Sequence, residues 1–382
     1  MRYALGLVVS IFILALLNTI LLDPFEILVG IRAIFRPVRV FVVVLSCYYC
    51  VVFVDGWLGQ IKVSHQDRFI ALVQLVYLIV VIHATLMCLQ FVFPDFRDFI
   101  YQFTFAKNQL EYNKMFRMAG LTGAGGAQTS FVQGLGCLLG WFLIFYKDYS
   151  HKTLVVIGNV LIIFSIILSG RTGLLVVALG FLLFLFLNVI ISLSVKKKRL
   201  SFNPFYILLL VPLVLIINSI PALLGENLVY FETAFNRTFK TLIDFSETGS
   251  FQDDTVAALA DMIIMPGEIS HLLIGRSSYL EGNTYYNVMT DIGYFRLVWG
   301  YGVIGLILHV LFYLVFIIKL VRMKYKDLND FYLWFLPLSI ISFVFLMNAK
   351  EIFFMTRISL HITLVVVLYY IYVKSPHRNQ LT

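Results

Sequence analysis

An all-α polytopic membrane protein, with about ten transmembrane helices and a large outer loop, is the fold class that this sequence predicts. Three observations carry it. The chain of 382 residues is 60% hydrophobic and 13% charged, with a mean hydropathy of +0.91, whereas an average soluble chain is about 25% charged. Several apolar runs reach the ~20 residues that cross a bilayer. Short basic segments lie between them, the pattern that orients spans in a membrane. The formal charge of +8 therefore reports topology and anionic lipid, and no nucleic-acid partner is expected.

From the N-terminus, Met1-Arg2 precedes an apolar run at 3–22. That run is long for a signal-peptide core and lacks a small-residue cleavage site, so it reads as an uncleaved first span. Further spans are expected at 38–54, 69–93, 129–146, 153–169, 172–193, 204–223, 292–318, 331–347 and 358–373. An even number of spans with Arg2 inside places both termini in the cytoplasm. The loops holding Lys196-Lys197-Lys198-Arg199 and Lys319, Arg322, Lys324 and Lys326 then fall on the cytoplasmic side, as the positive-inside rule requires. Arg32, Arg36 and Arg39, in the outer loop between the first two spans, go against that rule. Basic residue type also sorts by side. The inner segments hold ten Lys and five Arg and the outer segments four Lys and ten Arg, together the 29 basic residues of the chain. Lysine is a hydrated point charge suited to orientation, whereas the guanidinium fork grips phosphate or carboxylate bidentately. The outer arginines point to an anionic ligand, with snorkelling to headgroups as the plainer account.

Residues 1–382 read as a single membrane domain with two long outer loops, 94–128 and 224–291. Within the second, Leu228, Phe231, Phe235, Phe239 and Leu242 recur at helical spacing, with Asn236, Arg237, Lys240 and Asp244 on other faces. That pattern predicts an amphipathic helix lying at the membrane surface. Asp254 is placed to cap a further short helix ending before Pro266. No internal repeat is visible.

Little in the chain suggests hydrolytic or metal chemistry. The glycine-rich stretch at 120–130 has no lysine where a nucleotide-binding loop needs one. His83, His309 and His361 lie inside spans and read as hydrogen-bonded packing residues, Asp253-Asp254 is the one acidic pair, and Cys47-Tyr-Tyr-Cys50 falls within a span. No cofactor and no metal are expected.

Three clusters put ionisable groups at membrane depth, where they are costly without a partner or a task. Ser169-Gly170-Arg171-Thr172-Gly173 breaks one long apolar stretch into two spans with Arg171 at the outer tip. A guanidinium beside a helix N-terminus suits a diphosphate; an arginine bonded to helix C-terminal carbonyls is the alternative. Asp291-Ile-Gly-Tyr294-Phe-Arg296 precedes Gly302 and Gly305. There Asp291 is either an N-cap paired to Arg296, with glycines that permit close packing, or a catalytic base. Phe116-Arg117-Met-Ala-Gly120 precedes the fourth span, as a ligand-contacting turn or as a re-entrant loop with a structural arginine.

At these three places the chain resembles the O-antigen polymerase and ligase superfamily of bacterial envelopes. Arg117-Met-Ala-Gly120 matches its arginine-to-glycine stretch. Ser169-Gly-Arg171-Thr-Gly173 matches its Ser-Arg-small turn with one extra glycine. A large late outer loop leads into a span that opens on Gly302 and Gly305, with Asp291 standing where ligases carry histidine. Gln128 and Asn287 occupy positions at which glycine follows arginine in some polymerases. The resemblance implies a glycosyltransferase C-like bundle in the bacterial inner membrane. Its donor and acceptor would both be undecaprenyl diphosphate-linked oligosaccharides, joined on the outer face by inverting transfer. It implies Asp291 and Arg171 as catalytic residues, Arg171, Arg276, Arg296 and Arg117 on the diphosphate, and Arg237 and Tyr294 near the glycan. A chain-length regulator protein is the implied partner besides the bilayer. The alternatives are a ligase of the same superfamily, which Asp291 argues against, and a lipid-glycan flippase or transporter. Transporters usually carry repeats and a midplane site; here the charges gather near the outer ends of spans.

Overall fold

The computed structural model describes residues 2–21, 27–60, 64–104, 117–122, 126–146, 149–194, 228–248, 262–276, 290–325, 327–354 and 357–374. Among these every regular element is a helix, with no strand. In chain order the helices are α1 (Arg2–Leu21), α2 (Ile27–Gln60), α3 (His65–Val92), α4 (Pro94–Phe103), α5 (Ala127–Phe145) and α6 (Lys152–Ser169). They continue with α7 (Thr172–Ser194), α8 (Leu228–Thr248), α9 (Ile269–Ile274), α10 (Gly293–Val321), α11 (Leu328–Asn348) and α12 (Arg357–Lys374).

Eight described helices, α1, α2, α3, α5, α6, α7, α10 and α11, are long and apolar enough to cross a bilayer, and α12 is a shorter apolar helix. These nine coincide with nine of the expected spans; the expected span at 204–223 lies outside the described residues. The protein is thus a polytopic α-helical membrane protein. Helix α2 departs from expectation. Its 34 residues make ~51 Å of helix at ~1.5 Å per residue, well beyond a hydrocarbon core of ~30 Å. Arg32, Arg36 and Arg39 therefore sit on helix rather than in a loop.

The chain forms two compact units. One comprises α3 from Ile70 through α8, with residues 327–332. At its centre α5 is buried along nearly its whole length, from Thr129 to Phe145, against α6 and α7. Glycines set the approach: a Cβ on Gly134 would lie 2.9 Å from the Gly173 carbonyl oxygen of α7, the small-residue contact by which membrane helices close on one another. Tyr77 of α3 donates to the Val155 carbonyl of α6 at 2.7 Å.

The other unit holds α1, α2, α9, α10, α12 and α11 from Leu333. Here α1 packs on α2 and α10, and α12 on α2. Near the end of α2, buried Asp55 pairs with Arg68 at 3.6 Å and accepts from Tyr369 of α12 at 3.2 Å.

Candidate anion site and the turns that build it

The turn between α6 and α7 is two residues long, with α6 ending at Ser169 and α7 starting at Thr172. Ser130 of α5 holds it from both sides. Its hydroxyl donates to the Gly170 carbonyl and accepts the Gly173 N–H, the latter at 2.7 Å. A Cβ on Gly173 would meet the Ser130 oxygen Oγ at 2.8 Å, so only glycine lets the two chains approach so closely. Arg171 thus projects from a fixed turn at the N-terminus of α7, as the sequence predicts.

The segment at 117–122 is fixed amide by amide. The N–H of Met118 donates to the Leu168 carbonyl at 2.9 Å, and that of Ala119 to the Tyr101 hydroxyl at 3.0 Å. Gly120 exchanges two bonds with the Gln90 side chain, at 2.9 and 3.0 Å. Leu121 N–H donates to Nε2 of His83 at 3.1 Å. Nδ1 of the same ring lies 2.6 Å from Nε2 of Gln133. Gly120 has φ +63, a backbone region that residues with a Cβ rarely visit. Arg117, exposed, begins this segment, and its Nη1 reaches to 4.0 Å from a Cβ built on Gly126. Gly126 in turn touches the α6–α7 turn, its carbonyl carbon 3.3 Å from a Cβ on Gly170.

Helix α8 supplies the third cation. Its stripe docks on protein: Phe231 and Ala234 are buried in one cluster with Met87, Phe91, Met118, Ile167 and Leu168. Phe164 stacks on Phe231 at 5.6 Å. The expected surface helix is therefore amphipathic, but its buried apolar residues face α6 and α3. Half-buried Arg237 comes within electrostatic reach of Arg117 and Arg171. Burial first, then those two like charges, push its guanidinium down to about 10, so it stays charged at neutral pH. Three cations far apart in sequence thus lie in one neighbourhood: Arg171 at the N-terminus of α7, Arg117 beside Gly126, and Arg237 within electrostatic reach of both.

The remaining candidates lie in the other unit. Nη2 of Arg296 donates to Oδ1 of Asp291 at 2.8 Å and its Nε to the Thr290 carbonyl at 2.6 Å. Asp291 is 61% exposed on its side chain and Arg296 only 16%. The pairing is thus as expected, but Asp291 does not cap the helix. The N-cap is Ile292, without a side-chain bond, and its N–H is taken by the Thr290 hydroxyl at 3.2 Å. Tyr294 spends its hydroxyl on the Phe345 carbonyl at 2.7 Å and stands edge-on to Phe354, a packing role. The backbone N–H of Arg276 donates to the Trp299 carbonyl at 2.7 Å. Gly302 does more than permit packing: at φ 68 and ψ −178 it breaks α10, and a Cβ there would collide with the Leu273 carbonyl of α9. Asn18 of α1 lies beside the break, donating to the carbonyls of Ile274 of α9 and Gly300 of α10 at 3.1 and 3.3 Å.

The seven sequence candidates thus fall into two groups, Arg117, Arg171 and Arg237 in one unit and Asp291, Tyr294, Arg296 and Arg276 in the other. Sequence reasoning missed Gln90, Gln133 and Ser130, which hold the Arg117 and Arg171 turns, while His83 is the hydrogen-bonded packing residue expected; polar side chains inside apolar runs were the signal. Among the described residues no three His, Cys, Asp or Glu side chains gather to hold a metal ion. Comparison with protein-family models, curated proteins and solved structures finds no match to this chain, so the reading of the site rests on its own residues.

Proposed function

We propose that this protein is an inner-membrane glycosyltransferase that polymerises undecaprenyl diphosphate-linked oligosaccharides into a surface polysaccharide on the outer face of the membrane. The observation that carries the reading is that Arg171 stands at the N-terminus of α7, with Arg117 beside the Gly126–Gly170 contact and Arg237 within electrostatic reach of both. Like charges repel, and an arrangement that fixes three of them together is suited to an anion of high charge. A lipid diphosphate is such an anion and is already an activated leaving group, so no nucleotide is required. In the reaction the acceptor hydroxyl attacks the anomeric carbon of the donor sugar. The bond from that carbon to the diphosphate oxygen breaks, undecaprenyl diphosphate departs with the electron pair, and the configuration inverts. The departing diphosphate gains negative charge as the bond breaks, so the arginines bind the transition state more tightly than the ground state. The hydroxyl proton passes to a base.

The test is glycan lengthening by purified variants in lipid nanodiscs. Arg171→Ala and Arg237→Ala should each lose about 10²–10³-fold in rate, the scale for removing one preorganised charge-stabilising donor, while remaining folded in the membrane. Normal chain length from folded Arg171→Ala would sink the assignment. Transfer to lipid A-core without lengthening would make the protein a ligase; movement of lipid-linked glycan across vesicles without either would make it a transporter.

A further inference from the structure

The docking face of α8 and the two other arginines of the site are built from the same few residues. Phe231 and Ala234 bury against Met118, Ile167 and Leu168. Met118 follows Arg117, and Leu168 lies three residues before Arg171. The Met118 N–H to Leu168 carbonyl bond, at 2.9 Å, ties those two segments together. Arg237 is one turn beyond Ala234. The contact that buries Phe231 is therefore the contact that brings Arg237 up to Arg117 and Arg171. Its two consequences oppose each other. Burial of Phe231 and Ala234 favours the docked helix, while gathering a third cation disfavours it. An anion among the three cations reverses the second effect. A ligand that binds the docked arrangement better must stabilise docking, and by reciprocity docking must strengthen binding.

We propose that α8 is a diphosphate-dependent clamp, docking firmly on α6 and the Met118 segment when a diphosphate lies among Arg117, Arg171 and Arg237 and loosening when it leaves. The clamp rests on the reading of these arginines as a diphosphate site and not on glycosyl transfer. It gives product release a physical step: undecaprenyl diphosphate departs as α8 lifts, and the next lipid-linked donor closes it again.

Hydrogen exchange of the full chain in phosphatidylcholine nanodiscs at constant ionic strength tests this. The arms are no addition, inorganic pyrophosphate, and undecaprenyl diphosphate in the disc. Amides of 230–240 should exchange about tenfold more slowly with either diphosphate, within the usual range of coupling between sites, while α5 stays unchanged. Arg237→Gln should show slow α8 exchange without ligand and lose most of the response. Phe231→Ala, with α5 exchange reporting an intact fold, should weaken pyrophosphate binding although the ring has no polar atom. Pyrophosphate that binds, by calorimetry, without slowing α8 would overturn the clamp and leave the anion site standing. Absence of pyrophosphate binding would overturn both. A response to pyrophosphate but not to the lipid would keep the clamp and overturn the lipid-linked substrate.

Discussion

Replacing Gly120 by alanine perturbs the Arg117 segment without touching any cation. A Cβ at Gly120 would overlap the His83 imidazole, with Cε1 at 2.7 Å and Cδ2 at 2.9 Å. The ring is restrained, because Gln133 holds its Nδ1 at 2.6 Å and Leu121 its Nε2 at 3.1 Å. The turn must move instead, breaking the paired bonds to Gln90, at 2.9 and 3.0 Å. An L-residue at positive φ costs roughly 1–2 kcal/mol, and each lost bond about 1 kcal/mol. The total is about 3 kcal/mol, roughly a hundredfold in the population of the correct turn. Pyrophosphate affinity, by calorimetry in detergent, should fall at least about tenfold, and the unfolding temperature should drop with it. Gly6→Ala is the control: nothing lies within 4 Å of its added Cβ, so affinity and stability should hold. In Gly120→Ala/His83→Ala the overlap is gone, so the double variant should lose less than the sum of the singles, by about 1 kcal/mol or more. Native affinity and melting in Gly120→Ala, or strict additivity in the double, would refute this reasoning.

Other outcomes follow from the second unit. Asp291→Asn keeps an acceptor for Arg296 and tests the role of base that the family resemblance implies for Asp291: lengthening should slow by about 10²–10⁴-fold with pyrophosphate affinity unchanged, and equal rates would remove Asp291 from the chemistry. Tyr294→Phe should lose about 1 kcal/mol of stability with its bond to Phe345 and leave the acceptor KM near native, whereas a raised KM at unchanged stability would return the hydroxyl to glycan binding. Asn18→Leu strands two carbonyls at the α10 break and should cost about 3 kcal/mol, seen as faster exchange across 262–276; native exchange there would show that the break stands without Asn18.

Some of this was legible in the sequence and some was not, for physical reasons. Spans are set by length and hydropathy, both local, and nine expected spans have helices in the described residues. The α6–α7 turn was also legible, because Gly170 and Arg171 interrupt an otherwise continuous apolar run. The docking of α8 was not: Phe231, Phe235 and Phe239 give the same periodicity whether the stripe meets lipid or protein. The break at Gly302 was hidden by its neighbour, since glycines spaced as 302 and 305 read equally well as a helix-packing pair. The grip on Gly120 was invisible because His83, Gln90 and Gln133 come from two distant helices. The relation of Arg237 to Arg117 and Arg171 depends on tertiary packing alone.

The most direct test of the central claim supplies the purified protein, in nanodiscs, with undecaprenyl diphosphate-linked repeat units and neither nucleotide nor added metal. Glycan length and free undecaprenyl diphosphate are followed together. A polymerase yields longer glycan and one undecaprenyl diphosphate released for each linkage formed. Glycan that stays one repeat long, with no lipid diphosphate released by a folded protein, would contradict the claim.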